Sequence, residues 1–293
     1  MIGRIIKILS NDYTVKYNDE IIVCKVRGKF RSLHLTPLVG DIVKFDKDKK
    51  YIMEILDRKN ELVRPPVSNI DQVIIVTSVK DPDFESNLLD KLLVILEYNK
   101  IKPIICFSKL DLLDDTKEIY KYINYYRKYY EVYLNTEVDK IKNVFKNKLT
   151  VFTGQSGAGK STLLNKLNPN LNLKTNEISY ALGRGKHTTR HVELLELFGG
   201  MVADTPGFSA INFNMNNIEI KDNFIDFDRY REECEFRDCK HIKEENCGIK
   251  KHVDSGDILK SRYENYLKFV RGEEWYYLVL IYQVMIKKIL LKN

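Results

Sequence analysis

The sequence predicts a multi-domain chain with three parts: a small β-barrel, an α/β domain built on a parallel sheet, and a C-terminal module that combines α-helices with a cysteine and histidine cluster. Short segments of alternating polarity occupy the first 63 residues, as in half-buried strands. Apolar strand-like segments and helical segments then alternate, which is typical of a parallel sheet. Three cysteines and one histidine follow between Cys234 and Cys247.

The first domain is expected at residues 1–63. It contains five strand-like segments, GRIIKIL, DYTVKY, EIIVCKV, DIVKFD and YIMEIL, which are separated by turn-forming residues. Five short strands of this kind favour a small barrel, with an OB-fold as the leading candidate and an SH3-like barrel as the alternative. Lys25, Arg27, Lys29 and Arg31 alternate along one stretch. This alternation fits either an RNA-binding groove or a solvated strand edge.

The segment Arg64-Pro65-Pro66-Val67 marks the expected boundary of the second domain, because consecutive prolines hold the chain extended. This domain is expected at residues 64–222. It begins with the strand-like DQVIIVTSV and continues through the helical LLDKLLVILEYN to the strand-like KPIICFS and LTVFTG. Strands that alternate with helices predict βαβ units. Residues 223–293 then form the expected C-terminal module.

Composition restricts the class of protein but not the function. The 293 residues are 44% apolar and 30% charged, as in a soluble globular protein. The net charge of +7 permits contact with nucleic acid without requiring it. An odd number of cysteines, five, without a secretory leader favours a reducing compartment, and we expect a cytoplasmic location. The apolar stretch Tyr276–Ile286 is too short to span a bilayer, so a buried or amphipathic terminal helix is expected there. No membrane partner is expected, with contact at a membrane surface as the alternative.

A phosphate-binding P-loop follows the strand LTVF. Its residues, with the start of the next helix, are Gly154, Gln155, Ser156, Gly157, Ala158, Gly159, Lys160, Ser161 and Thr162. The glycines let backbone N–H groups surround phosphate oxygens. Lys160 is expected to reach the β- and γ-phosphates and act in catalysis, and the Ser161 hydroxyl to bind Mg²⁺. The loop by itself fits a GTPase, an ATPase or a kinase.

A second segment, Asp204-Thr205-Pro206-Gly207, follows a predicted buried strand. Asp204 is expected to hold Mg²⁺, through a water molecule, and the Gly207 N–H to contact the γ-phosphate. Transporter-type ATPases carry an LSGGQ-like signature instead, which this sequence lacks.

A third segment, Ser108-Lys109-Leu110-Asp111, follows the strand PIICF. A buried Asp111 can accept hydrogen bonds from guanine N1–H and N2–H, whereas adenine offers neither donor. Lys109 is expected to lie along the base and brace the P-loop. The three segments together predict that GTP is hydrolysed to GDP. Two alternatives remain, a P-loop ATPase or kinase and an RNA-binding factor with an inert nucleotide site.

The order of the segments is permuted, because the base-reading segment precedes the P-loop by about 45 residues. Domain termini usually lie close together, so a circular permutation can preserve the site.

The C-terminal module contains the pattern Cys234-x4-Cys239-x-His241-x5-Cys247. Three thiolates and one imidazole complete a tetrahedral Zn²⁺ and leave no open position, so one zinc ion with a structural role is expected. Lys240, Lys243, Lys250 and Lys251 surround the pattern and fit either RNA phosphates or a solvated surface.

The permuted order, the RPPVSNID junction, LGRGKHTTR and the C-terminal cysteine pattern are together similar to the ribosome small subunit-dependent GTPase A family. The resemblance extends from Met1 to about Leu267. It implies an OB-fold, a circularly permuted GTPase domain and a zinc-binding domain. It also implies a role in late maturation of the small (30S) ribosomal subunit, with 16S rRNA as a partner and hydrolysis stimulated by the subunit. We expect a monomer.

The segment Gly185–Arg190 is the expected switch I loop. Either Thr188 or Thr189 is expected to complete the Mg²⁺ shell. Phe208 occupies the position where many GTPases place a water-orienting glutamine. The resemblance makes His187 the candidate catalytic residue, with a surface histidine as the alternative. The sequence departs from the family at Ser108, where Asn or Thr is usual, and at Asn135-Thr136, where Ser-Ala is usual.

Overall fold

The computed structural model describes residues 1–26, 36–62, 66–169, 192–204 and 217–272. Only the backbone is described for Asp204, Asn217 and Ile218. The chain divides into two compact units, one of residues 1–84 with 99–211 and one of residues 85–98 with 212–293. The domain boundaries expected at residues 63/64 and 222/223 stay predictions.

The described residues form thirteen strands and seven α-helices. The strands are β1 (Ile2–Leu9), β2 (Asp12–Tyr17), β3 (Glu20–Val26), β4 (Ile42–Asp46), β5 (Tyr51–Ile55), β6 (Glu61–Leu62), β7 (Val67–Ser68), β8 (Gln72–Ser78), β9 (Lys102–Ser108), β10 (Glu131–Leu134), β11 (Leu149–Thr153), β12 (Glu193–Leu197) and β13 (Gly200–Asp204). The helices are α1 (Ser86–Tyr98), α2 (Lys117–Tyr126), α3 (Val138–Asn143), α4 (Lys160–Leu167), α5 (Asn217–Asp222), α6 (Gly248–Asp254) and α7 (Lys260–Arg271).

Strands β1 to β5 close into the predicted N-terminal barrel. β1 pairs with β2 and β4, β2 with β3, and β4 with β5, all antiparallel, and β3 pairs in parallel with β5. This closed order is that of an OB-fold, not of the SH3-like alternative. The predicted alternation places one face of each strand inside, where Val15, Cys24, Phe45 and Ile52 are buried.

The α/β part is a sheet in the order β10-β9-β8-β11-β13-β12. The first five strands are parallel, and β12 runs antiparallel to β13. The core strands β8, β9 and β11 are buried along almost their whole length. Because both faces of these strands are covered, their sequences are almost continuously apolar. Since the strands are parallel, the carboxyl ends of β9, β11 and β13 lie at the same edge of the sheet. Ligands bind at this edge in such folds.

The barrel and the α/β sheet are continuous through β1 and β12. Lys7 of β1 is the partner of Glu193 of β12, and their side chains form an ion pair of 2.6 Å. Lys16 of β2 forms a second ion pair with Glu196. Strands β6 and β7 form a separate two-stranded sheet.

The second compact unit contains α1 and α5 to α7. Its core includes Phe224, Phe227, Tyr266 and Phe269, whose rings pack edge-to-face or tilted. The helix predicted from LLDKLLVILEYN is α1, and the structure places it in this unit with the C-terminal segment. Among the described residues, no helix is long and apolar enough to cross a membrane.

Candidate nucleotide and zinc sites

The P-loop connects the end of β11 to α4, as the sequence predicts. Its backbone needs glycine at Gly154 for two reasons. Gly154 has a φ of 132°, and a Cβ there would lie 2.0 Å from the carbonyl oxygen of Val76 in the neighbouring strand β8. Gly159, with a φ of 92°, forms the N-cap of α4. The loop is therefore held close to the sheet, with the helix N-terminus beside it, as phosphate binding requires.

Lys160 is buried at the start of α4, and its ammonium group is held by the loop itself. Nζ donates to the carbonyl oxygens of Gly154 (2.6 Å) and Gln155 (2.8 Å). Burial lowers the pKa of Lys160 to about 8. A phosphate oxygen would favour the charged form, so the lysine is suited to an anionic ligand. Ser161 follows in the same turn and is also buried.

Ser108, at the end of β9, links the base-reading segment to the P-loop. Its Oγ donates to the carbonyl oxygen of Ala158 at 2.6 Å and lies 3.3 Å from that of Thr77. Ser108 is buried. The shorter serine side chain thus still makes a hydrogen bond at the position where the family usually has Asn or Thr.

Lys109 adopts a left-handed conformation with a φ of 63°, and its Nζ donates to the carbonyl oxygen of Asp81. Pro82, the next residue, lies against the P-loop, with Cδ 3.5 Å from the place a Cβ on Gly157 would take. The sequence did not reveal that Asp81 and Pro82 lie beside the base-reading segment and the P-loop. The only available signal was the turn-forming KDPD after β8, which does not reveal its spatial neighbours.

Asp111 lies in a short 3-10 helix, Leu110–Leu112, just beyond β9. Its side chain is exposed, whereas we expected it to be buried. Among the described residues, Asp111 has no hydrogen-bond or ion-pair partner, so its oxygens are available as acceptors.

Asn135 and Thr136 follow β10 at the same edge of the sheet. The Asn135 N–H donates to the carbonyl oxygen of Phe107 at 2.8 Å, directly beside Ser108. The structure thus places the divergent Asn135-Thr136 segment next to the base-reading segment.

The other predicted residues of the nucleotide site are described only in part. Asp204 ends β13, and its backbone is paired with Glu193. The neighbouring parallel strand β11 leads into the P-loop, so Asp204 lies at the same edge. His187, Thr188, Thr189 and Gly207 lie outside the described residues.

The four predicted zinc ligands converge in the second unit. The ligand atoms of Cys234, Cys239, His241 and Cys247 all lie within 4.8 Å of one another. His241 Nδ1 is 3.5 Å from the sulfur of Cys234 and 3.3 Å from that of Cys247. Zn–S and Zn–N bonds of normal length at tetrahedral angles separate S and N by about 3.6 Å. The donor set and its spacing therefore fit a zinc ion.

Burial shifts the pKa of three of these ligands, His241, Cys239 and Cys247. It lowers the pKa of His241 to about 4, so the imidazole is neutral and able to bind a metal at pH 7. Burial raises the pKa of Cys239 to about 12 and also raises the pKa of Cys247. A metal ion would displace these protons, since the thiolate is the ligand.

The loop between Cys239 and Cys247 is organised by Glu244. Its carboxylate accepts backbone hydrogen bonds from Lys240 (2.8 Å), Ile242 (2.9 Å) and Lys243 (3.0 Å). Although burial acts in the opposite direction, these donors lower the pKa of Glu244 to about 2.

Helix α7 fixes the loop from the other side. The hydroxyl of Tyr263 donates to the carbonyl oxygen of His241 at 2.7 Å. Of the nearby lysines, Lys250 donates to the Glu244 carbonyl oxygen and Lys251 pairs with Glu233. Both are therefore partly engaged within the module.

Comparison with known proteins agrees with this geometry. The model of the RsgA GTPase family matches residues 55–214, and that of the RsgA N-terminal domain matches residues 2–52. Two solved structures have similar folds. The crystal structure of YloQ, a circularly permuted GTPase, has a TM-score of 0.78 and 41% identity, and the match covers 92% of this chain and 94% of that one. YjeQ from Thermotoga maritima has a TM-score of 0.80 and 36% identity, covering 92% and 97% of the two chains.

Two similar proteins from different bacteria share a name. Small ribosomal subunit biogenesis GTPase RsgA from Enterococcus faecalis is 49% identical over 92% of this chain and 94% of its own length. The protein of the same name from Bacillus cereus is 48% identical over 92% and 96% of the two chains. The permuted order of the segments, the barrel and these matches agree. The chain therefore belongs to the RsgA GTPase family.

Proposed function

We propose that this chain hydrolyses GTP and acts in the maturation of the small ribosomal subunit. One observation carries the nucleotide part of the proposal. The hydrogen bond from Ser108 to Ala158 joins the base-reading segment to the P-loop across 50 residues of sequence. The two segments therefore share one edge of the sheet in spite of their reversed order. The names of the relatives supply the ribosomal part.

Each residue of the site has a role in this reaction. The P-loop amides and Lys160 hold the β- and γ-phosphates, and Asp111 accepts from guanine N1–H and N2–H. Ser161 and Asp204 offer the hard oxygen donors that suit Mg²⁺. When bound, Mg²⁺ neutralises charge on the phosphate oxygens. Thr188 or Thr189 would add a further oxygen, and Gly207 an N–H to the γ-phosphate.

His187 is the chain's own candidate for orienting the attacking water, since Phe208 offers no hydrogen bond there. His187→Ala is expected to lower the turnover stimulated by small subunits while leaving GTP affinity nearly unchanged. Lys186→Met, which changes the neighbouring side chain, serves as the control. Normal stimulated turnover in His187→Ala would assign the role to another group.

The barrel and the zinc module are the proposed contacts with the 16S rRNA of the 30S subunit. Zinc, bound by Cys234, Cys239, His241 and Cys247, would be structural because the four ligands leave no position for a substrate. We propose that the chain acts as a monomer in the cytoplasm, without membrane contact.

A competition experiment tests the nucleotide assignment. A fluorescent GDP analogue bound to the protein should be displaced by GTP and GDP, and far less well by ATP, because only guanine offers donors to Asp111. Displacement by ATP at equal or lower concentration would contradict the guanine assignment and favour the ATPase or kinase alternative. Guanine binding without any hydrolysis would favour the inert RNA-binding factor.

A further inference from the structure

A second pocket lies at the opposite end of the parallel strands from the P-loop. It has a volume of about 540 Å³, and its wall includes Arg4 of β1, Asp71, Lys148 and Glu196. Asp71 comes just before β8 and Lys148 just before β11. The P-loop follows the carboxyl end of β11, so the pocket and the nucleotide site are separated by the length of the strands.

The two carboxylates in this wall are already engaged. Asp71 Oδ1 accepts from Lys59 Nζ at 2.5 Å, and Oδ2 accepts from the Leu149 N–H at 2.6 Å. Glu196 forms the ion pair with Lys16 on β2. Neither carboxylate therefore needs a cation from inside the pocket.

The two remaining cations lack such partners. The Arg4 side chain makes no hydrogen bond to the described residues, and its Nη1 is buried. Burial lowers the pKa of Arg4, and only the charge of Asp71 acts against this. Lys148 is exposed at the rim, and its ammonium group makes no hydrogen bond or ion pair in the described part of the chain. A half-buried guanidinium without an acceptor is costly, and an anion would relieve that cost.

We propose that this pocket binds a phosphate group through Arg4 and Lys148. Two cations without hydrogen-bond partners match a phosphate dianion, and a guanidinium is a planar group of N–H donors that suits phosphate oxygens. The volume is within the range that holds a small organic molecule. Leu197 and Phe198 supply apolar wall for the group attached to the phosphate. The phosphate would belong either to a small phosphorylated molecule or to an RNA chain. This site lies beyond the proposed GTPase function.

Phosphate binding can be measured by calorimetry on the full-length protein at constant ionic strength. Saturating GDP and Mg²⁺ are present throughout, so that the P-loop is filled equally in every variant. The parent protein is expected to bind inorganic phosphate. Arg4→Met should weaken binding by about tenfold or more, and Lys148→Met should weaken it to a smaller extent. Lys146→Met removes the same charge from an exposed position outside the pocket wall and should bind as the parent does.

Competition identifies the source of the phosphate. Displacement by adenosine monophosphate indicates a small molecule, and displacement only by a short oligoribonucleotide indicates RNA. Absence of phosphate binding in the GDP-loaded parent, or equal binding by Arg4→Met and Lys146→Met, would overturn the proposal. Tighter binding of citrate than of phosphate would overturn the choice of anion. Should Arg4→Met fail to fold, the comparison of Lys148→Met with Lys146→Met decides the question.

Discussion

At the scale of single residues, the proposed recognition of guanine depends on Asp111. The carboxylate can only accept hydrogen bonds, whereas an amide at this position presents a donor toward the donors of guanine. Asp111→Asn should therefore weaken GTP binding by about a hundredfold or more and shift preference toward xanthosine triphosphate. Titration with both nucleotides measures this. Asp114→Asn, an exposed carboxylate three residues along, is the matched control. Unchanged GTP affinity in Asp111→Asn would remove Asp111 from the site.

Lys160 is expected to make the affinity for nucleotide depend on pH. In the free protein burial lowers the pKa of Lys160 to about 8, and a bound phosphate raises it again. Below about pH 8 the lysine is charged in both states, so affinity is constant. Above that pH, binding must take up a proton, and affinity should fall by up to about tenfold per pH unit.

The affinity for GDP between about pH 7 and about pH 9 measures this effect. Lys160→Arg is the control, since a guanidinium does not titrate in this range. Its affinity should be independent of pH, whatever its absolute value. A parent protein with equally flat affinity would show that the Lys160 pKa does not change on binding.

At the scale of elements, the Cys234, Cys239, His241 and Cys247 cluster is expected to stabilise its module through a bound zinc ion, because this module has few long secondary-structure elements. Cys239→Ala removes one of four ligands, so the protein should lose zinc, and the module should lose stability because metal binding supplies much of its folding free energy. Metal analysis should find about one zinc per chain in the parent and in Cys24→Ala, whose thiol lies in the barrel core. If the parent protein is purified without chelators and metal analysis finds no zinc in it, the zinc assignment is contradicted.

Helix α7 is held in its unit by a buried ion cluster. Arg262 donates to Asp90 of α1 at 2.7 Å and to Asp226 at 2.9 Å, and its guanidinium lies 4.3 Å from the ring centre of Phe224. Asn265 also donates to Asp90 at 2.7 Å. All four polar side chains are buried.

Removal of Arg262 would leave two carboxylates buried without their cation. Arg262→Met should therefore destabilise this unit by about 3–5 kcal/mol, and Lys268→Met, on the exposed face of the same helix, by less than about 0.5 kcal/mol. Hydrogen exchange of the α1 and α7 amides reports the stability of this unit separately from the rest of the chain. Equal protection in the two variants would show that the ion cluster contributes nothing.

At the scale of the whole molecule, the features that could be predicted from the sequence are those that depend on a local pattern of residues. The five barrel strands alternate in polarity, the central strands of the parallel sheet are continuously apolar, and the P-loop, base-reading and zinc segments carry fixed spacings. Each of these signals lies within a short stretch of chain, so no knowledge of the tertiary fold was needed to find it.

Contacts between distant segments were not predictable in this way. Asp90 and Arg262 are 172 residues apart, and Lys7 and Glu193 are 186 apart. In neither pair does the local sequence pattern identify the distant partner residue. The grouping of α1 with the C-terminal segment and the pairing of β1 with β12 are therefore visible only in the folded chain. The exposure of Asp111 escaped prediction for the same reason, because it depends on where the chain turns after β9.

The most direct test of the central claim is the rate of GTP hydrolysis with and without purified small ribosomal subunits. Without a glutamine after the DTPG segment, hydrolysis by the protein alone should be slow. Small subunits should raise kcat by about tenfold or more, equivalent to lowering the activation free energy by at least ~1.4 kcal/mol. Large subunits are the control and should have no such effect. A protein that turns over GTP at the same rate with and without small subunits would contradict the account.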